Sequence, residues 1–164
     1  MLKTKLISLL LSALIFVEGC KKDNKVENNF KCKVNGETWR PNNTDLKYGH
    51  EAEAHLIDDG KTFFVTAVQE NSRQFISFSL FLDGEVAPGT YELTGSQNTA
   101  EYEDKGRSLK FTSQQGYTGT LRILALDKKS KRVMGKFSFK ALAYGTNAVV
   151  AITDGEFNLP YYSY

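Results

Sequence analysis

From Phe30 onward apolar and polar residues alternate with a period of two, and no stretch keeps a 3.6-residue spacing long enough to make an amphipathic helix. In FISFSLFL, residues 75–82, Ile76, Phe78, Leu80 and Leu82 fall on one side. VMGKFSFKA, residues 133–141, sets Val133, Phe137, Phe139 and Ala141 against Met134, Lys136, Ser138 and Lys140, the pattern of an antiparallel strand with one wet face. TLRILAL, residues 120–126, behaves in the same way. Asn35-Gly36, Asp59-Gly60, Asp83-Gly84, Pro88-Gly89 and Asp154-Gly155 supply residues that tolerate positive φ and read as turns. The pattern predicts strands over 30–34, 37–40, 52–57, 62–69, 74–82, 90–94, 109–112, 117–127, 132–143 and 148–159. About ten antiparallel strands without a helix of substance predict an all-β domain. A β-sandwich is the first expectation and barrel-like closure the other, because nothing in the pattern dictates strand order.

The start of the chain follows a different rule. Lys3 and Lys5 precede a twelve-residue run, Leu6 to Val17, that is apolar apart from Ser8 and Ser12. A helix crossing the hydrocarbon core needs about 20 apolar residues, so the run is too short to span. A basic start, a short apolar middle and a small residue before cleavage make an export signal, predicted over residues 1–19. Val17 and Gly19 followed by Cys20 resemble the bacterial lipobox. That resemblance implies that Cys20 becomes the first residue of the mature chain and carries acyl chains. Three chains at ~0.8 kcal/mol per buried CH₂ hold a protein on a membrane where one is marginal. The competing reading pairs Cys20 with Cys32, the other of the two cysteines, in an oxidising compartment. With Cys20 acylated, Cys32 becomes a small buried hydrophobe.

Beyond the signal, 145 residues carry 19 basic and 18 acidic side chains, a net charge of +1. That balance offers no field for nucleic acid or an anionic bilayer surface. The segment KKDNKVENN, residues 21–29, has one apolar residue among nine and reads with Cys20 as a flexible tether. Residues 30–164 are long enough to bury one core and read as one domain.

FKCKVNGETW, APGTYEL, GTLRILALDKKSKRVMGKFSFKA and ITDGEF together resemble a family of small Bacteroidetes lipoproteins whose domain has no assigned function. The likeness spans Phe30 to Phe157. It implies a β-rich domain at the cell envelope, on the outer membrane's periplasmic face or at the cell surface, and brings no catalytic residues with it. KKDN soon after Cys20 has the basic-then-acidic character of such lipoproteins.

The chemistry on offer is sparse. HEAEAH, residues 50–55, contains both histidines and places Glu51, Glu53 and His55 on one strand face, with Ala52, Ala54 and Leu56 on the other. Same-face neighbours are ~7 Å apart along a strand, so two of these side chains could share a metal, but this is not the helical H-E-x-x-H of zinc peptidases. A solvated strand face is the bland alternative. GYTG, residues 116–119, is not a nucleophile elbow, and no glycine-rich phosphate loop occurs. The acidic turns at Asp58-Asp59-Gly60, Asp83-Gly84-Glu85 and Asp154-Gly155-Glu156 lack calcium-loop spacing, and DKKSKR, residues 127–132, reads as a solvated hairpin tip. LPYYSY at the C-terminus exceeds what a core requires, which makes Tyr161, Tyr162 and Tyr164 candidates for ligand contact.

These features predict a lipid-anchored protein of the outer membrane, not an enzyme and without a cofactor, that binds a glycan or a protein. The alternative is a metal-dependent protein or enzyme using Glu51, Glu53 and His55.

Overall fold

Two long strands, β10 (Arg132–Ala143) and β11 (Val149–Ser163), pair antiparallel from Arg132 opposite Pro160 to Leu142 opposite Val149 and form the spine of the molecule. They belong to a computed structural model that describes residues 28–42 and 50–164. Nine further strands precede them: β1 (Asn29–Val34), β2 (Glu37–Trp39), β3 (Ala52–Ile57), β4 (Thr62–Gln69), β5 (Gln74–Phe81), β6 (Gly89–Leu93), β7 (Thr99–Asp104), β8 (Leu109–Thr112) and β9 (Gly119–Asp127). No described residue is helical.

All eleven strands join one sheet in the order β2-β1-β11-β3-β4-β5-β7-β8-β10-β9-β6, and the β10–β11 pairing turns part of that sheet into a ring. The ring works because each spine strand shares its outer edge between two neighbours. On β11, β1 occupies the edge from Ile152 to Asn158, and β3 takes over at Tyr161 to Ser163. On β10, β9 occupies the edge from Arg132 to Phe139, and β8 takes over at Leu142 and Ala143. The sheet therefore passes from one layer to the other at two opposite corners. Phe78 of β5 lies 5.1 Å from Phe137 of β10 and 5.6 Å from Phe157 of β11, so the middle of the ring's far wall packs straight onto the spine. Ile76, Leu80, Phe63, Leu121, Ile152 and Leu159 are fully buried around this aromatic centre.

The all-β expectation with closure is met, and three features differ from the alternation pattern. First, there are eleven strands: TAEYED, β7, falls outside the predicted strands, and half of it is acidic. Ala100, Tyr102 and Asp104 nevertheless point inward, and buried Asp104 is satisfied by the Arg107 main-chain N–H at 3.1 Å. Second, the sheet is mixed, since β3 and β11 run parallel. Third, Asp154-Gly155 is a bulge inside β11 and not a turn. Two residues of β11 oppose one on each neighbour there: Phe137 faces Gly155 while Phe139 faces Ile152, and Lys31 faces Glu156 while Lys33 faces Thr153. Asp154 takes the left-handed conformation at φ 52. A Cβ on Gly155 would come within 2.5 Å of the Phe137 carbonyl oxygen, so a side chain has no room there.

Residues 1–19, predicted as an export signal, and Cys20 lie outside the described residues. Cys32 is a buried free thiol, 3 % exposed, and burial pushes its pKa from 9.0 up to about 12.

Candidate functional site

The parallel pairing of β3 with β11 places Tyr161 opposite Ala54, Tyr162 opposite His55 and Ser163 opposite Leu56. Side chains alternate along both strands, so the pairing sorts the residues by face. Ala54 and Tyr161 turn into the core, Tyr161 being 6 % exposed, while His55 and Tyr162 turn outward. The ladder continues one step further, with the Tyr164 main-chain N–H donating to the Leu56 carbonyl at 3.1 Å. Tyr164 is thereby held on the outer face at 77 % exposure, beside Tyr162 at 38 %. Of the three C-terminal tyrosines, two form a surface and one anchors it.

Around His55 the rings form a continuous array. Tyr162 lies 5.5 Å away, Tyr164 6.0 Å away and nearly parallel at 17°, and Phe64, its cross-strand neighbour on β4, 6.3 Å away. His50 stacks on Tyr162 at 6.3 Å and 12°. Glu53 is the polar centre: one carboxylate oxygen, Oε2, sits 3.2 Å from His55 Nε2, and the other accepts the His50 main-chain N–H at 3.2 Å. This double contact fixes the carboxylate and the imidazole against the ring array. Toward β5 and β7 the face becomes polar, with the Ser79 and Thr99 hydroxyls 2.8 Å apart and Glu101 paired with Lys110 at 3.0 Å.

Two motifs legible in the sequence, HEAEAH and LPYYSY, thus become one surface. Glu51 does not join the Glu53–His55 pair. It stands exposed before β3, its carbonyl accepting the Val68 N–H at 2.9 Å. Among the described residues no group of three or more His, Cys, Asp or Glu is placed to hold a metal ion. The acidic turns at 58–60 and 83–85 do meet, through the Val86 N–H on the Gly60 carbonyl at 2.8 Å, but Glu85 is drawn away to Lys128 at 2.6 Å. The basic tip is closed by Asp127, which accepts the Lys129 N–H at 2.9 Å and the Ser130 hydroxyl at 2.7 Å. Those bonds, the Ser130 hydroxyl first, hold its carboxyl below the ordinary range.

A groove of about 510 Å³ runs beside the ring array, lined by Tyr164, Leu56, Asp59, Glu85, Lys128 and Lys131 among others. An aromatic array with one oriented carboxylate and an adjoining polar groove can hold a ligand that presents an apolar face and hydroxyl donors. Cys32 takes no part in this surface: it lies in the core, where burial keeps its thiol protonated.

The fold and this surface define a β-rich domain built around an outward aromatic platform. Residues 27–159 match the family described as Domain of unknown function (DUF6252), and the chain belongs to that family. The match covers His50, Glu53 and His55 and ends just before Tyr161. Neither a characterised protein nor a solved structure matches the chain.

Proposed function

We propose that this protein is a non-catalytic saccharide-binding module, anchored to the outer membrane through lipid on Cys20, with the platform of His55, Tyr162, Tyr164 and Phe64 as its binding surface. The observation that carries the reading is the register that sets Tyr162 opposite His55. It aligns rings on an outer face where a core gains nothing from them. A sugar ring offers C–H faces that lie flat on aromatic planes and hydroxyls around its rim, and Glu53 supplies an acceptor fixed at the platform's centre. The rings' near-parallel planes, 12° and 17° for the two stacked pairs, suit a flat ligand better than a protruding side chain. The anchor follows from the signal segment and the position of Cys20.

The test is a titration of the full chain with neutral gluco-, manno- and galacto-oligosaccharides, followed by the NMR signals of the His and Tyr rings. Saturable shifts confined to His50, His55, Tyr162 and Tyr164, abolished in Tyr162→Ala, are expected. A panel that leaves all four rings unmoved overturns the saccharide reading. For the anchor, the chain produced in a bacterium with a lipoprotein pathway takes up labelled palmitate and Cys20→Ala does not. Label on the variant overturns the anchor alone.

A further inference from the structure

The bulge in β11 shapes a second surface, on the outer face of the spine. Beside its extra residue lies a depression of about 680 Å³ lined by Thr120, Arg122, Lys136, Ser138, Thr153 and the two acids Asp154 and Glu156. The charges there are arranged unequally. Asp154 is paired with Lys33 at 2.9 Å and Glu156 with Lys31 at 2.8 Å. Lys31 holds the Glu156 carboxyl below its usual range, with a smaller contribution from Lys136. Both carboxylates are therefore matched from the β1 side. On the other side Arg122 of β9 stands directly opposite Lys136 of β10.

Like charges directly opposite one another in a sheet are destabilising. Lys136 has Glu156 opposite it on its β11 side, whereas the Arg122 side chain has no hydrogen bond or ion pair with any described residue. Thr120 and Ser138 are opposite one another two residues along the same two strands, and Thr153, in the bulge, lines the same hollow. None of these three hydroxyls has a side-chain hydrogen bond among the described residues. Two cations and three free hydroxyls thus converge on one hollow.

We propose that this hollow is a binding site for an acidic saccharide, with Arg122 and Lys136 taking the carboxylate and Thr120, Ser138 and Thr153 bonding the sugar hydroxyls. An anion between the two cations relieves their repulsion, and a guanidinium takes a carboxylate in a two-pronged fashion that an ammonium cannot. A small inorganic anion would satisfy the cations and leave the hydroxyls idle. A polyphosphate backbone is disfavoured by Asp154 and Glu156 at the rim and by a chain whose net charge is only +2. The site lies on the spine, away from the tyrosine platform, and stands independently of it.

The experiment is calorimetric titration of the full chain with digalacturonate, with lactose as the neutral sugar and inorganic phosphate as the bare anion. Saturable binding of digalacturonate that weakens with salt is expected, with no heat from lactose and weaker binding of phosphate. Arg122→Gln and Lys136→Gln should each weaken digalacturonate by about tenfold, as loss of a charge-assisted contact does. Arg122→Lys, which keeps the charge and the fold, should fall between. Tyr162→Ala should bind digalacturonate as the parent does, which separates this site from the platform. Equal affinity in the Arg122→Gln, Lys136→Gln double variant overturns the proposal. So does phosphate binding as tight as digalacturonate, or no saturable binding of digalacturonate up to ~10 mM.

Discussion

Tyr162 lies directly opposite His55 across a parallel strand pair, their rings 5.5 Å apart, while its chain neighbour Tyr161 lies opposite Ala54 and faces the core. Adjacent tyrosines in one strand thus have opposite tasks, and substitution separates them. Tyr161→Ala removes a buried ring and should cost about 3–5 kcal/mol, in the range of aromatic truncations in cores. Tyr162→Ala removes only ring contacts at the surface and should cost about 0.5–1.5 kcal/mol. Urea unfolding of the two variants checks the contrast, and equal losses would mean that Tyr162 is structural.

A second prediction concerns alkaline pH. Burial raises Cys32 to about 12 in the folded protein, and Tyr102 is likewise raised to about 12, by burial first and the Asp104 charge second. Both groups are neutral when protonated, and their unfolded values are 9.0 and 10.0. Below pH 9 both states hold these protons and the groups leave stability independent of pH. Between 9 and 12 the unfolded chain releases them first, so stability falls as pH rises. Cys32→Ala should flatten the lower part of this decline, measured by urea midpoints from pH 7 to 11, and Cys32 should resist thiol reagents at pH 8 until the chain unfolds.

The predicted strands of the spine were legible because β10 alternates cleanly: Val133, Phe137, Phe139 and Ala141 are all buried and Met134, Lys136 and Lys140 all exposed. β7 was illegible because its inward set ends in Asp104, whose burial is made tolerable only by Arg107 three residues on, a contact that alternation does not encode. The Asp154-Gly155 pair has the chemistry of a turn, and only the two flanking strands, both one residue short at that point, make it a bulge. HEAEAH and LPYYSY could each be singled out along the chain. Their union depends on a three-residue parallel register between segments more than a hundred positions apart, and no local pattern carries that.

The third prediction bears on metal. Glu53 and His55 form a pair without a third ligand among the described residues. Micromolar zinc should therefore leave the melting temperature unchanged, in the parent and in the Glu51→Thr, Glu53→Thr, His55→Thr variant alike. A site in the native state would instead raise it with the logarithm of metal concentration. The triple variant itself should lose about 1 kcal/mol, from the two contacts of Glu53. Saturable stabilisation of the parent, lost in the variant, would restore the metal-dependent reading.

A chain beginning at Asn28 should fold as a soluble domain with strand-dominated circular dichroism, because β1 onward contains every described strand. Reducing agent should leave its melting temperature where it was, Cys32 being a free thiol in the core. A shift of several degrees in the monomer would contradict this.

The ring has a consequence for how the fold is reached. β11 is the most C-terminal strand, and it is the partner of β1, β3 and β10, with contacts such as Asn29 to Glu156 joining residues 127 positions apart. Until it docks, β1 and β3 each have a bare edge and the aromatic centre lacks Phe157. Assembly is then a late and nearly all-or-none clasping governed by long loop closures, which makes it slow. The unclasped intermediate displays open strand edges to its neighbours, so crowding of nascent chains and early truncation before Val149 both lead toward aggregation instead of a smaller stable domain.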